Sequence, residues 1–472
     1  MARPRRDPPR TVGRDELSRA IAARRDRYLD TICRLVRQPS ISSQGVGIRE
    51  CVQLLRDIFH EHGMDAEVMP TAGNPVVYAE RRADGDANTI LLYGHYDVQP
   101  PEPYEAWQSP PFEPTIRDGR IYGRGVGDNK GQFLASLFAI QLLTELEALP
   151  RLHIKFMVEG EEESGSPSLP AFVDAHADLL RADLFYAPDG SMHLSGRPSA
   201  KFGFRGVLQV ELEAVGANRD LHSGIWGGPA PNAIWTLIDL LATMRLPDGR
   251  VSIEGFYERV VPPTAQERAL MLQVPFDAAA VAANLGITAF DGPSDLSFYE
   301  KMMFQPTLTL GGIAGGYTGK GARTAIPSRA LAKLETRLAS HQEPDEIFAK
   351  IRRHVERYAP TVTVRKLHGT RPSKTSTALP VSRVIVDALA EAYRVPPVVL
   401  PVTGGSSPNY LITDVLKIPS IWTTYAPPDE NNHAPNESMT IESILNGVRA
   451  SAVVLQRFAA MPQSELGRPP HG

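Results

Sequence analysis

The chain has 472 residues, more than one ordinary core accommodates, so two domains are expected. With 42% hydrophobic residues, 22% charged residues and a formal net charge of −4, it has a globular composition and no basic footprint for nucleic acid or an anionic membrane. No apolar run approaches the roughly 18 residues of a membrane span. Cys33 and Cys51 form no CxxC pair, which fits a reduced, cytoplasmic setting without disulfides.

Residues 1–14 begin MARPRRDPPR, basic and proline-rich with no apolar stretch behind, and are expected to be a disordered leader. Residues 15–37 place Leu17, Ile21, Leu29, Ile32, Leu35 and Val36 at helical spacing, with Asp15 as N-cap and Pro39 as stop. A second amphipathic helix, 47–62, ends at Gly63. PVVYAE (75–80), TILLYGHYDV (89–98), RLHIKFMVEG (151–160) and ADLFYAPDG (182–190) read as strands, and an apolar helix is predicted over 132–148. Strands separated by helices predict an α/β layer around a mixed, largely parallel sheet flanked by helices.

Near residue 204 the pattern changes. FRGVLQVELEAVG (204–216) alternates at period two, as a half-exposed antiparallel strand does. A helix at 232–245, an irregular stretch at 250–300, strands at 307–313 and 329–340 around a glycine-rich loop, a helix at 343–357 and a strand at 361–367 follow. This reads as a smaller α+β domain inserted at 204–375. The first domain then comprises 15–203 and 376–472, the latter with a helix (381–394), a glycine-serine turn (404–408), a short strand (418–425) and a closing helix (440–460).

Chemistry-bearing residues gather where apolar strands end. GHYDV (94–98) puts His95 and Asp97 two apart, so Asp97 could orient a metal-binding His95. GRGVGDNKG (123–131) lacks the G-x-G-x-x-G spacing, and a carboxylate would repel phosphate, so Asp128 reads better as a ligand on a constrained backbone. EGEEESG (159–165) clusters carboxylates that need a cation or a proton when buried, so one can bind metal while its neighbour moves protons. Asp189 in APDGS and His433 in NNHAPNE follow two further strands. Singly, each has an ordinary structural reading. Together, two histidines and three carboxylates at the strand ends of an open α/β sheet suit a pair of ions such as Zn²⁺, Co²⁺ or Mn²⁺. A centre with one bridging carboxylate would use all five and would suit hydrolysis. Neither H-E-x-x-H nor G-x-S-x-G occurs.

The motifs GHYDVQP (94–100), WQSPPFEPTIRDGRIYGRGVGDNKG (107–131), EGEEESGS (159–166), APDG (187–190), DLHSG (220–224) and NNHAPNE (431–437) resemble those of the dinuclear zinc metallopeptidases. That family contains carnosine-type dipeptidases, succinyl-diaminopimelate desuccinylase, aminoacylases and glutamate-releasing carboxypeptidases, and the likeness is greatest to its cytosolic dipeptidase branch. It extends from about residue 15 to 460. The resemblance implies a zinc-exopeptidase-like catalytic domain with an inserted lid and dimerisation domain. It implies that His95 and Asp189 bind one metal, that Glu163 and His433 bind the other, and that Asp128 bridges both ahead of a cis Asp128–Asn129 peptide. Asp97 would support His95, and Glu162 would be the general base and later the acid. His222 would reach the active site of a partner subunit and stabilise the oxyanion. Arg337 would pair with the substrate carboxylate, with Thr324 and Ser406 as further substrate contacts. Glu161 departs from the pattern. It either points away from Glu162, as alternation on an extended segment would have it, or raises the Glu162 carboxyl by repulsion. The implied protein is a cytoplasmic homodimer with two divalent ions per subunit, zinc first, manganese or cobalt otherwise. It would hydrolyse dipeptides or short peptides with a free C-terminus. An N-acyl amino acid substrate on the same site and a non-catalytic binding protein of the same fold are the alternatives, with neither nucleic acid nor membrane as partner.

Overall fold

The computed structural model of the protein describes residues 10–466. The chain divides into two compact units: residues up to Phe202, Thr375–Leu400 and from Leu411 onward, and Gly203–Lys374 with Pro401–Tyr410.

The first unit is built on a mixed sheet of eight strands among the described residues. Across it run Asp65–Met69, Val76–Arg81, Leu152–Glu159, Asn88–His95, Leu184–Pro188, Ser420–Thr423, Ser199–Lys201 and Val398–Leu400. The three central pairings are parallel, joining Leu152–Glu159, Asn88–His95, Leu184–Pro188 and Ser420–Thr423 in turn. These strands are continuous apolar runs because both faces are covered: every residue of Leu184–Pro188 is buried. Their parallel course brings His95, Glu159, Pro188 and Thr423 to one edge of the sheet, and the segments that follow them carry the candidate ligands. Helix Gly131–Glu145 is apolar nearly all round and buried, as a helix sandwiched between layers must be. It packs within the core formed with helices Pro380–Tyr393 and Ile441–Ala459, where Ser136 and Ser451 meet at 3.0 Å.

Several elements differ from the sequence reading. The 15–37 segment is two helices, Arg14–Ala22 and Arg25–Arg37, and Gly13, not Asp15, is the N-cap. The break lets each half bury its own stripe, Leu17 and Ile21 in the first, Tyr28, Leu29, Ile32, Leu35 and Val36 in the second. Arg24 turns at the junction, with Nη1 on the Ala20 carbonyl and Nε on Glu145. Of the expected leader, residues 1–9 lie outside the described residues. Val12 is buried, and its N–H donates to Gln456. Strand Asn88–His95 ends at His95, so Asp97 stands beyond it.

The second unit is a four-stranded antiparallel sheet, in the order Thr307–Gly315, Arg329–Leu338, Gly206–Val215 and Thr363–Thr370. The two central strands alternate buried and half-buried residues. Their inner face packs on helices Ala233–Thr243 and Pro344–Tyr358 through Leu208, Val210, Leu212, Leu237, Ile351 and Val355. The stretch 250–300 contains helices Ala265–Leu272, Ala278–Leu285 and Phe298–Phe304, two of them started by capping boxes from Thr264 and Ser297. The glycine-rich loop holds a short strand, Ala325–Ile326, paired with Leu221–His222. The segment Pro401–Tyr410, which holds the 404–408 turn and is assigned with the first domain on sequence grounds, groups with this unit. Among the described residues no helix is long and apolar enough to cross a membrane.

Candidate metal centre

Five predicted ligands converge in the first unit as two triads that share one carboxylate. His95, Asp128 and Asp189 form one, and Asp128, Glu163 and His433 the other, each with its ligand atoms within 4.8 Å of one another. Asp128 uses both oxygens: Oδ1 is 3.0 Å from His95 Nε2 and Oδ2 is 3.0 Å from His433 Nε2. His433 Nε2 also lies 3.1 Å from Glu163 Oε2, and His95 Nε2 lies 3.9 Å from Asp189 Oδ1.

Each ligand is held from behind. His95 Nδ1 is 3.1 Å from the Asp97 carbonyl and 3.5 Å from its Oδ1, which leaves Nε2 facing the triad. The Asp97 carboxylate also accepts the N–H groups of Glu162 and Glu163, at 3.3 and 3.1 Å. One buried acid therefore fixes both the His95 ring and the glutamate turn. Gln99 donates to Glu163 Oε2 at 2.9 Å. The Asp128–Asn129 peptide is cis. Asn129 Nδ2 donates to the Pro188 carbonyl and to Asp189 Oδ1, at 2.7 and 2.9 Å, so it ties the shared ligand's loop to the neighbouring ligand.

Glu437 organises the loop that presents Asp128. It is fully buried; Oε2 accepts from Arg124 Nη1 and the Gly125 N–H, both at 2.9 Å, and Oε1 accepts from the Gly127 and Asp128 N–H groups, at 2.9 and 3.1 Å. Burial pushes its carboxyl up, against the pull of Arg124. Gly127 has no room for a side chain, since a Cβ would stand 2.2 Å from Glu430 Oε2. Glu430 is itself buried beside Ser191, and burial carries its carboxyl to about 8. Glu437, Asn129 and Glu430 had no assigned role in the sequence reading. Glu437 closes the NNHAPNE motif, but nothing local shows that its partners lie some 310 residues upstream.

The glutamate triplet divides as chemistry requires. Glu161 turns away: Oε1 accepts the Asn74 N–H and Oε2 the Ser168 N–H, each at 3.0 Å. Glu163 faces His433. Glu162 is partly buried, and among the described residues its carboxylate takes no hydrogen bond. Burial pushes it well above the ordinary carboxyl range; His95 opposes this, while Asp189, Asp128 and Glu163 add repulsion.

The electrostatics are those of crowded ligands sharing protons. Burial disfavours charge on His95, but Asp128 and Asp97 outweigh it and raise the ring well above its usual value. Hydrogen bonds accepted by Asp128 and Glu163 raise His433 to about 10. Burial and the neighbouring Asp128 raise Asp189 to about 6. Asp128 is favoured neutral by burial yet held well below the usual range by His433 and His95. Positive charge is thus required at this spot, and the nitrogen and oxygen donor set suits borderline-hard divalent cations, one per triad with Asp128 common to both.

The remaining predicted residues lie in the second unit. His222 is exposed, and its Nδ1 accepts the Gly224 N–H at 3.0 Å, which leaves Nε2 as the N–H donor of the neutral ring. The Thr324 carbonyl accepts the Ser223 N–H at 3.0 Å. Arg337 donates through Nε to Glu335 at 2.9 Å and through Nη1 to Ser406 Oγ at 2.8 Å, so these two predicted substrate contacts touch each other.

A parallel-centred α/β sheet whose strand ends carry two ligand triads with a shared carboxylate defines a metallohydrolase class. The chain belongs to peptidase family M20/M25/M40, whose family model matches residues 91–457. It is 27% identical over 360 residues to the Cys-Gly metallodipeptidase dug1 of Schizosaccharomyces pombe, a match covering 72% of this chain and 75% of that protein. It is 30% identical over 284 residues to the Beta-Ala-His dipeptidase of Homo sapiens, covering 60% of this chain and 56% of that protein. Among solved structures, the M20 family metallo-carboxypeptidase Sso-CP2 from Sulfolobus solfataricus superposes with a TM-score of 0.85 at 32% identity, covering 92% of this chain and 99% of that one.

Proposed function

We propose that this protein hydrolyses the amide bond of dipeptides or short peptides with a free C-terminus, using two divalent cations, zinc in the first instance. The observation that carries the reading is the pair of triads sharing Asp128, with the nearby Glu162 carboxylate taking no hydrogen bond among the described residues. His95 and Asp189 would hold one cation, Glu163 and His433 the other, and Asp128 both. When bound, the cations would polarise the scissile carbonyl and acidify water at neutral pH.

The chain's own groups do the rest. Asp97 holds the His95 ring and the 162–163 backbone together, so ligand and base keep one geometry. Glu162 takes a proton from the attacking water and returns it to the leaving amine. Its unbonded carboxylate and its high proton affinity support that task. His222, exposed and with Nδ1 occupied by the Gly224 N–H, would donate Nε2–H to the oxyanion of a partner subunit's reaction. Arg337, pre-set by Glu335 and Ser406, would take the substrate carboxylate as a planar fork. Thr324 is a weaker contact of the same kind.

The second unit would serve as lid and homodimer interface. Edge strand Thr307–Gly315 is largely exposed and shows Leu310 and Ile313, and helix Ala233–Thr243 exposes Trp235 and Ile238. A reducing cytoplasmic setting accords with the unpaired thiols Cys33 and Cys51. The test is a substrate panel on protein of defined metal content. Dipeptides should be cleaved and N-acetyl or N-succinyl amino acids should not. Absence of dipeptide turnover with zinc, manganese and cobalt would sink the reading.

A further inference from the structure

We infer that a cavity walled by Phe276, Phe290, Phe298 and Met302 receives the side chain of the substrate's C-terminal residue and selects a bulky apolar or aromatic one. This rests on the reading of Arg337 as the group that takes the substrate carboxylate. The cavity lies within the second unit and has a volume of about 400 Å³. That is in the range of small-molecule sites, about 300–1,000 Å³.

Two physical links join it to Arg337. Thr307 forms part of its wall, and Thr307 Oγ1 accepts the Arg337 backbone N–H at 3.3 Å. Arg205 forms another part, and its guanidinium donates twice to the Gly404 carbonyl, at 3.0 and 2.8 Å. Gly404 opens the turn whose Ser406 hydroxyl accepts from Arg337 Nη1. The close fit explains the glycine: a Cβ at 404 would stand 2.9 Å from Met302 Cγ. In a peptide's last residue, carboxylate and side chain leave the same carbon. A cavity that shares a strand contact and a turn with the carboxylate-binding arginine is therefore placed for that residue's side chain.

The lining sets the preference. Phe276 and Phe298 stack with centroids 4.4 Å apart, and Phe290 meets Phe298 edge-on at 5.3 Å. Phe276 remains 38% exposed, an aromatic surface left without a full covering. The two cations of the lining direct most of their donors to backbone carbonyls. Arg205 bonds Gly404 and Gln305, and Lys301 bonds Asp291 and Gly292, so their heads are held by backbone and their alkyl stems add to the apolar lining. The Asp291 carboxylate is paired with Arg245.

The experiment measures kcat/KM for Gly-Gly, Gly-Leu, Gly-Phe and Gly-Glu with the wild type and with Met302→Ala and Phe276→Ala. Phe276 is partly exposed, so its variant should fold even if the other does not. Wild type should prefer Gly-Phe or Gly-Leu over Gly-Gly by about tenfold or more. Each variant should lose at least about fivefold on Gly-Phe while staying within about twofold on Gly-Gly. Equal use of Gly-Gly and Gly-Phe, preference for Gly-Glu, or an apolar preference that survives both variants would overturn the inference and leave the peptidase reading standing. Cleavage of no dipeptide at all would overturn both.

Discussion

Replacing Glu437 by Gln tests whether the Asp128 loop is organised by one buried carboxylate. The two oxygens accept four donors, Arg124 Nη1 and the N–H groups of Gly125, Gly127 and Asp128. A glutamine amide has one oxygen, so its NH₂ must face two of those donors whichever way it turns. Each buried donor left unbonded costs about 1–3 kcal/mol. If Arg124, 1% exposed, loses its counter-charge, the cost of breaking a buried pair is about 3–5 kcal/mol. These costs overlap, so Glu437→Gln should lower the unfolding free energy of metal-free protein by about 3–5 kcal/mol in a urea titration. Because the same carboxylate holds the Asp128 N–H, metal affinity should fall about 10–100-fold. The double variant Glu437→Leu with Arg124→Met should recover much of the stability and none of the metal affinity. A Glu437→Gln protein within about 0.5 kcal/mol of wild type, with full metal content, would refute the reasoning.

Metal binding should release protons. His433 is raised to about 10, so it is charged in metal-free protein at pH 8, and His95 is shifted in the same direction. His433 must lose its proton to bind metal, giving at least about one proton released per chain; zinc titrations at pH 8 in buffers of differing ionisation enthalpy measure this, and no release would contradict the site. At pH 5.5, just below Asp189's value of about 6, that carboxyl adds to the release. Glu161→Ala should lower stability by about 1–3 kcal/mol, because the Asn74 and Ser168 N–H groups lose a charged acceptor, while metal content stays full. Loss of metal instead would place Glu161 among the ligands. Glu159 is buried, bonded by Tyr93 OH at 2.8 Å, and raised to about 7. Below about 4.5 both folded and unfolded carboxyls hold the proton and no cost arises; above about 7 the folded state carries the full cost of ionising it, up to about 3 kcal/mol. Glu159→Gln should therefore raise the thermal midpoint of metal-free protein at pH 8 and much less at pH 5. An equal shift at both values would exclude burial of charge as the cause.

The candidate ligand set, which the fold brings together, was legible because metal chemistry concentrates unusual residues where apolar strands end. His95 ends an apolar strand, Glu163, Asp189 and His433 lie beyond others, and Asp128 stands just before an apolar helix, and charge there needs a reason. The groups that hold them were less visible. Glu437 and Asn129 act through contacts 310 and 60 residues away, which no local pattern encodes. Glu161 was ambiguous for the opposite reason: its neighbours are the site itself, and only the fold shows it turning to Asn74 and Ser168. Helices Ala265–Leu272 and Phe298–Phe304 did carry a signal, the Thr264…Glu267 and Ser297…Glu300 capping boxes, which an irregular apolar pattern masked. Strands Ser199–Lys201 and Val398–Leu400 are three residues each, too short for a period to emerge, and exist because they pair with each other and because Ser199–Lys201 also pairs with Ser420–Thr423.

The central claim is that Glu162 moves the proton at a site built by its neighbours. Steady-state turnover of a dipeptide by Glu162→Gln, with bound metal counted on the same sample, tests it most directly. Two metals per chain and kcat lowered by about 10²–10⁴-fold is the predicted result. Full metal content with kcat within about threefold of wild type would contradict it.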